Sequence, residues 1–288
     1  MPRFVLIHSP LVGPRTWLPV AEHLRDLGHE VTAPSLLAVG DADPPFWPRV
    51  VAAVTDAISA DAARAQEPAG TGQLAGGPVR AGADNAARAD HAACADHAAG
   101  TQLGQAQPLV LVAHSNAGNF IPVIRRALAQ PVRCSVFADA RVPARRGAAP
   151  TAEEEFLAFL RGMTGPDGRL PRWIDWWPEE DLTPLFPDPR TRELVAAELP
   201  RLPLAYYTEQ VPVPAGWDDA PCVYLHFSAA YDGEAQQAAD RGWLVRKLPG
   251  EHLHQLVDPS GVATALLEFA DQASTAHPAG MRPGKEPR

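Results

Sequence analysis

A serine that is to attack a carbonyl group needs a turn that lifts its hydroxyl out of the fold and a base that takes its proton. The stretch Leu109-Val110-Leu111-Val112-Ala113-His114-Ser115-Asn116-Ala117-Gly118-Asn119-Phe120 offers such a turn: an apolar run, a small polar corner, then a helix-like run from Phe120 to Ala129. Ser115 at that corner reads as an activated nucleophile, and the residue after it, Asn116, presents its backbone N–H at a helix start. The usual pattern is G-x-S-x-G; here Ala113 and Ala117 fill the glycine places, with Gly118 one step later. A base and an orienting acid must come from elsewhere. Asp139 follows the strand-like Cys134–Ala138, Asp232 follows Cys222–Phe227, and His252 and His254 follow Trp243–Leu248.

The elements that would hold these groups alternate strand and helix. Phe4–Ile7 is a continuous apolar run suited to a buried parallel strand. Trp17, Val20, Ala21, Leu24 and Leu27 then recur at helical spacing up to Gly28, and Glu30–Ala33 is a second strand. Strand, helix and strand within so short a span predict a parallel sheet with right-handed crossovers. A helix is expected over Pro48–Ala63, another over Glu153–Leu160, and closing helices over Glu234–Arg241 and Val262–Ala270. The fold class expected is therefore α/β: a mostly parallel sheet flanked by helices, with residues 1–150 and 215–275 forming the core.

Two segments break that rhythm. From about 65 to 107 the chain dissolves into Ala, Gly, Gln, Arg and Asp, with Ala-Asp-His-Ala-Ala at 89–93 and again at 95–99. Too few large apolar groups remain there to offset ordering entropy, so a flexible surface insertion is expected, and His91 and His97 read as part of a solvated repeat. Residues 151–214 are instead rich in aromatic residues and proline, as an inserted helical lid over a pocket would be. Trp173, Trp176 and Trp177 sit too close in sequence for all three to face one way, and at least one is expected to face the pocket. The tail 276–288, rich in Pro, Gly and charge, is expected to be disordered.

Composition narrows the function. The chain has 288 residues, 46% of them hydrophobic, and 34 acidic against 25 basic side chains give a formal charge of −9. That balance argues against nucleic acid or an anionic membrane as partner and leaves a small-molecule substrate. Three cysteines, Cys94, Cys134 and Cys222, lie far apart with no C-x-x-C spacing, which fits a reducing cytoplasm and indicates neither a disulfide framework nor a zinc site. No secretory leader and no membrane-spanning run is expected.

With these residues in place the chain resembles the α/β-hydrolase superfamily, and most closely its bacterial esterase and plant methylesterase/hydroxynitrile lyase branch. The resemblance rests on Phe4–Trp17, Gly28–Pro34, the corner at Val112–Gly118, Val136–Pro143, and Gly242-Trp243 through His252 to Pro259. It implies Ser115 as nucleophile, His252 rather than His254 as base, Asp232 as acid with Asp139 as the alternative, and the Asn116 N–H as one oxyanion donor. It also implies a pocket near His8, Pro10, Trp173, Trp176 and Trp177, with no metal or organic cofactor. Relatives that open epoxides or remove halide carry a carboxylate where Ser115 stands, which disfavours those chemistries here.

One departure stands out. The family's loop begins His-Gly, and the residue after the glycine donates a second oxyanion hydrogen bond. Here the loop reads His8-Ser9-Pro10, and proline has no N–H to give. Leu11 N–H, the Ser9 hydroxyl or a group from residues 151–214 are the candidate replacements. The expectation is a serine hydrolase acting on an ester or related acyl bond of a small, largely apolar substrate. The alternatives are a ligand-binding or degenerate hydrolase fold, or a lyase or cyclase using His252 as base.

Overall fold

The computed structural model describes residues 1–66 and 107–276. Residues 67–106, which hold most of the expected insertion with His91 and His97, and 277–288, the expected tail, lie outside them.

Eight strands are described: β1 (Arg3–Ile7), β2 (Val31–Thr32), β3 (Leu109–Ser115), β4 (Val132–Ala140), β5 (Gly147–Pro150), β6 (Gln210–Val213), β7 (Cys222–His226) and β8 (Leu244–Lys247). Six of them form one sheet in the order β2-β1-β3-β4-β7-β8, and every pairing in it is parallel. Side chains alternate between its faces with period two. Phe4, Leu6, Val110, Val112 and Val136 meet helices Leu18–Asp26 and Pro259–Ala276 on one side. Val5, Ile7, Leu109, Leu111 and Phe137 meet helices Trp47–Gln66 and Ile121–Ala127 on the other. Because both faces are covered, the strands need continuous apolar runs, and each large side chain removed from water contributes about 1.5–3 kcal/mol.

Strand order reverses between β1 and β3: the chain leaves β1 toward β2 and leaves β3 toward β4, on opposite sides. The crevice outside the carboxyl ends of two such strands is where open α/β sheets place their ligands. Ser115 ends β3 at that crevice.

The aromatic-rich insert enters and leaves through an antiparallel ribbon, β5 with β6, where the sequence suggested no strands. Helix Glu154–Met163 and several short turns follow β5, and Asp188 caps the helix Pro189–Ala196 by accepting from the Thr191 N–H at 2.8 Å. Leu157, Leu160, Tyr206 and Tyr207 join the same apolar cluster as the second sheet face, so the insert shares the main core. No helix among the described residues is long and apolar enough to cross a membrane.

Candidate active site

Ser115 adopts φ 58° and ψ −129°, a conformation that costs a non-glycine residue on the order of 1–3 kcal/mol and thrusts its side chain out of the sheet edge. The turn is held from β4: Arg141 N–H donates to the Ser115 carbonyl at 3.0 Å. Gly118 makes that approach possible, because a Cβ there would stand 2.1 Å from the Arg141 carbonyl oxygen. The close packing expected of the glycines in the familiar pattern is thus done by Gly118, while Ala113 and Ala117 are simply buried. Asn116 opens the 3-10 turn that follows, where no carbonyl of that turn can reach its N–H. Its side chain is committed to the insert, donating from Nδ2 to the Thr151 carbonyl at 2.8 Å and accepting from the Tyr206 hydroxyl.

His252 meets Asp139. The distance from His252 Nδ1 to Asp139 Oδ2 is 2.9 Å, and Asp139 is fully buried. The same carboxylate accepts from Phe227 N–H at 2.9 Å, Ser228 N–H at 3.1 Å and the Ser228 hydroxyl at 2.5 Å. Burial alone would raise the pKa of Asp139, but the His252 and Ser228 hydrogen bonds overcome it and hold the carboxyl below its ordinary value. An ionised carboxylate only accepts, so His252 carries its proton on Nδ1 and leaves Nε2 as a base.

The structure thus brings Asp139, the alternative, to His252 and not Asp232, which was expected first. Asp232 lies at the start of helix Asp232–Asp240, is largely exposed, and pairs with His226 Nε2 at 3.0 Å. The reason lies in β4. His114 pairs with Ala138 and Ser115 with Ala140, so Asp139 is an extra residue in its strand, and its φ of 43° re-aims the side chain across the sheet edge. His254 takes no part; it begins the helix His254–Val257 and packs against Phe227.

Around His252 the rings are closely placed. Tyr231 stacks on it with centroids 4.8 Å apart and planes 3° from parallel. His114 lies at 4.5 Å and donates from Nε2 to the His252 carbonyl at 2.8 Å. Desolvation pushes His114 down to about 3, so it stays neutral. Ser115 Oγ makes its hydrogen bond to the Tyr231 hydroxyl, at 3.2 Å.

On the β1 side the loop is packed rather than open. His8 is buried; its Nδ1–H donates to the Ser9 carbonyl at 2.8 Å and its Nε2 accepts from Leu36 N–H at 2.9 Å. Desolvation lowers it to about 4. His8 and Pro10 consequently do not line the cavity, contrary to expectation, because the loop tucks both beneath it. Leu11 does line it, and its N–H points at Ser9 Oγ from 3.4 Å, a bond long enough to be given up.

The cavity holds about 460 Å³ and is walled by Ser115, Asn116, His252 and the rings of Phe156, Trp173, Trp176, Trp177, Tyr207 and Tyr231. All three tryptophans face it. The 3-10 turn at Trp173–Asp175 sets their directions, a rotation that their spacing did not reveal. Tyr207 is buried, and its hydroxyl has no partner among the described residues. Arg141, Glu153, Asp181 and Glu234 add charge to the wall, with Arg141 bonded to Glu153 at 2.5 Å and to Glu234 at 2.7 Å.

No family model and no curated protein sequence matches the chain. Solved structures do. An extracellular alpha/beta-hydrolase from a Paenibacillus species, described as sharing homology with tobacco Salicylic Acid Binding Protein 2, superposes with a TM-score of 0.63 at 16% identity, covering 93% of this chain and 99% of that one. The chain has the α/β-hydrolase fold. Tomato Methylketone Synthase I gives a TM-score of 0.60 at 16% identity over 94% of this chain and 98% of its own. A pyrethroid hydrolase from Sphingobium faniae gives 0.58 at 17% over 94% and 97%. Within this α/β-hydrolase fold, Ser115 and His252 both line the cavity, beside Tyr231 and Tyr207, which sequence reasoning did not single out, while Ser228 bonds the carboxylate behind them. Tyr231 carried a signal, since it adjoins the very aspartate singled out as acid.

Proposed function

We propose that this α/β-hydrolase is a serine hydrolase that cleaves an ester or related acyl bond of a small, largely apolar substrate. The observation that carries the reading is one buried carboxylate, Asp139, bonded to His252 at 2.9 Å beside a serine held at φ 58° on the wall of an aromatic cavity. Ser115 Oγ turns from Tyr231 to His252 Nε2, gives up its proton there, and attacks the carbonyl. Asp139 holds the imidazole in the required tautomer and stabilises the imidazolium. Asn116 N–H, with Leu11 N–H once it leaves Ser9, receives the developing oxyanion. His252 then protonates the leaving oxygen, and water attacks the acyl-enzyme by the same route in reverse. No cofactor enters this scheme.

A cavity of about 460 Å³ suits a small ligand. Its wall carries Glu153, Asp181 and Glu234 against Arg141 alone, so neutral or cationic substrates are favoured over anions. Residues 151–214 act as the lid, tied to the nucleophile turn by Asn116 and to the core by Arg141. The free, buried Cys134 and Cys222 suit the cytoplasmic setting we assign it.

The test is turnover of a panel of short-chain aryl esters, with intact-mass detection of the acyl adduct. Wild type should accumulate one acyl group and Ser115→Ala none. A folded wild type that neither acylates nor turns over any ester would refute the proposal. A second reading, base chemistry by His252 without an acyl-enzyme, is favoured by the Ser115 hydrogen bond to Tyr231. It requires activity that survives Ser115→Ala.

A further inference from the structure

Ser115 stands between two loops. The Ser9–Val12 loop follows β1 and Tyr231 follows β7; in the sheet β3 lies next to β1 on one side, with β4 and then β7 on the other. An attacked carbonyl therefore has two different neighbourhoods. Its oxygen is drawn to the Asn116 and Leu11 N–H groups, while the remaining oxygen, that of the leaving group, faces His252 and Tyr231. Tyr231 is fixed there by three contacts: its ring on His252, its hydroxyl 3.2 Å from Ser115 Oγ, and its N–H on the Ser228 carbonyl at 3.1 Å. Ser228 in turn binds Asp139, so one loop sets both the acid and this phenol. Resting on the serine-hydrolase reading, we infer that Tyr231 is a catalytic residue whose hydroxyl hydrogen-bonds the leaving-group oxygen as the acyl–oxygen bond breaks.

The proton accounting is simple. The Ser115 proton passes to His252 Nε2 as the carbon–Oγ bond forms. When the carbon–oxygen bond to the leaving group breaks, that same proton goes to the departing alkoxide, and Tyr231 donates a hydrogen bond to it while keeping its own proton. Burial, with the charges of Asp139 and Glu234, raises the phenol above its ordinary range and keeps it protonated. In the free enzyme the hydroxyl rests on Ser115, which is one bond angle from the place the leaving oxygen will occupy.

Tyr231→Phe keeps the stacked ring and removes only the hydroxyl. The experiment compares kcat/KM for two esters of one acyl group, a methyl ester and a p-nitrophenyl ester, in wild type and variant. A nitrophenolate departs without help; a methoxide does not. The expected result is a loss of roughly 10²-fold for the methyl ester, the scale of one donor lost at a developing charge, with less than a threefold loss for the p-nitrophenyl ester. KM should move less than threefold for either. The thermal unfolding midpoint of the variant is the control that it is folded. Equal losses on both esters would mark Tyr231 as merely structural; no change, or a gain from releasing Ser115, would equally overturn the inference. Labelling of wild type by a fluorophosphonate separates the failures: without it the serine reading falls and this inference with it, and with it only the role of Tyr231 is at stake.

Discussion

The two flanks of Ser115 are furnished differently. Toward β1, His8 and His114 are buried and neutral, Pro10 has no N–H, and the space between Ser9, Leu11, His114, Ser115 and His252 amounts to about 10 Å³, scarcely one water. Toward β7, a charged Asp139 receives hydrogen bonds from Phe227, Ser228 and His252, and Tyr231 and His252 open onto the main cavity. One flank is uncharged and meets the main cavity through Leu11, the other is polarised and open to ligand. The contrast teaches that this chain concentrates its polar preorganisation on the Asp139–His252 side of Ser115, which in the proposed mechanism is where protons move, and leaves less on the side where that mechanism puts the oxyanion.

Acid separates the flanks most strongly. In the folded protein His8 titrates at about 4 and His114 at about 3, whereas both take protons near 6.5 once unfolded. The unfolded state thus binds more protons below 6.5, and each histidine withdraws about 1.4 kcal/mol of stability per pH unit until its folded value is reached. Asp139 acts in the same sense but in a lower window: its depressed pKa contributes stability that is complete above the unfolded value near 3.9 and is lost only as the pH falls below it. Denaturant midpoints should therefore fall steadily from pH 6.5 to 4, and His8→Gln should flatten that slope by about one proton's worth. A slope unchanged by the substitution would mean His8 is not held neutral.

Gly118→Ala attacks the turn that both flanks share. The new methyl group meets the Arg141 carbonyl at 2.1 Å, backbone against backbone, and a loss of about 3 kcal/mol is expected by thermal or chemical unfolding. Pro10→Gly acts on the poorer flank alone. Because position 10 is tucked beneath the cavity and Leu11 lines it, the restored N–H should leave kcat/KM within about threefold of wild type, equally for alkyl and aryl esters. A gain confined to one leaving group would blur the distinction between the flanks.

Much of this was legible in the sequence, for physical reasons. Continuous apolar runs mark buried parallel strands, so the sheet and its helices could be read, and with them the turn that carries Ser115 and the loop that carries His252. The choice between Asp139 and Asp232 could not, because both follow strands. What decides it is the extra residue in β4, a local irregularity in which a non-glycine residue takes a left-handed φ without any change of residue type to announce it. His8 and Pro10 misled because a polar loop at a sheet edge looks open until its packing against Leu36 is known. Tyr231 escaped because a lone aromatic in a short loop usually packs inward. The ribbon β5–β6 escaped because Gly147–Pro150 has almost no strand character of its own and is held by its partner.

The pairing of Asp139 with His252 is the centre of the account, and one rate comparison tests it. The measurement is the second-order rate of fluorophosphonate labelling, followed by intact mass, for wild type, Asp139→Asn and Asp232→Asn. With Asp139 as the residue that orients His252, Asp139→Asn should label about 10⁴-fold more slowly, while Asp232→Asn, which loses only an exposed contact with His226, should stay within threefold of wild type. A collapse of labelling in Asp232→Asn with Asp139→Asn near wild type would contradict it.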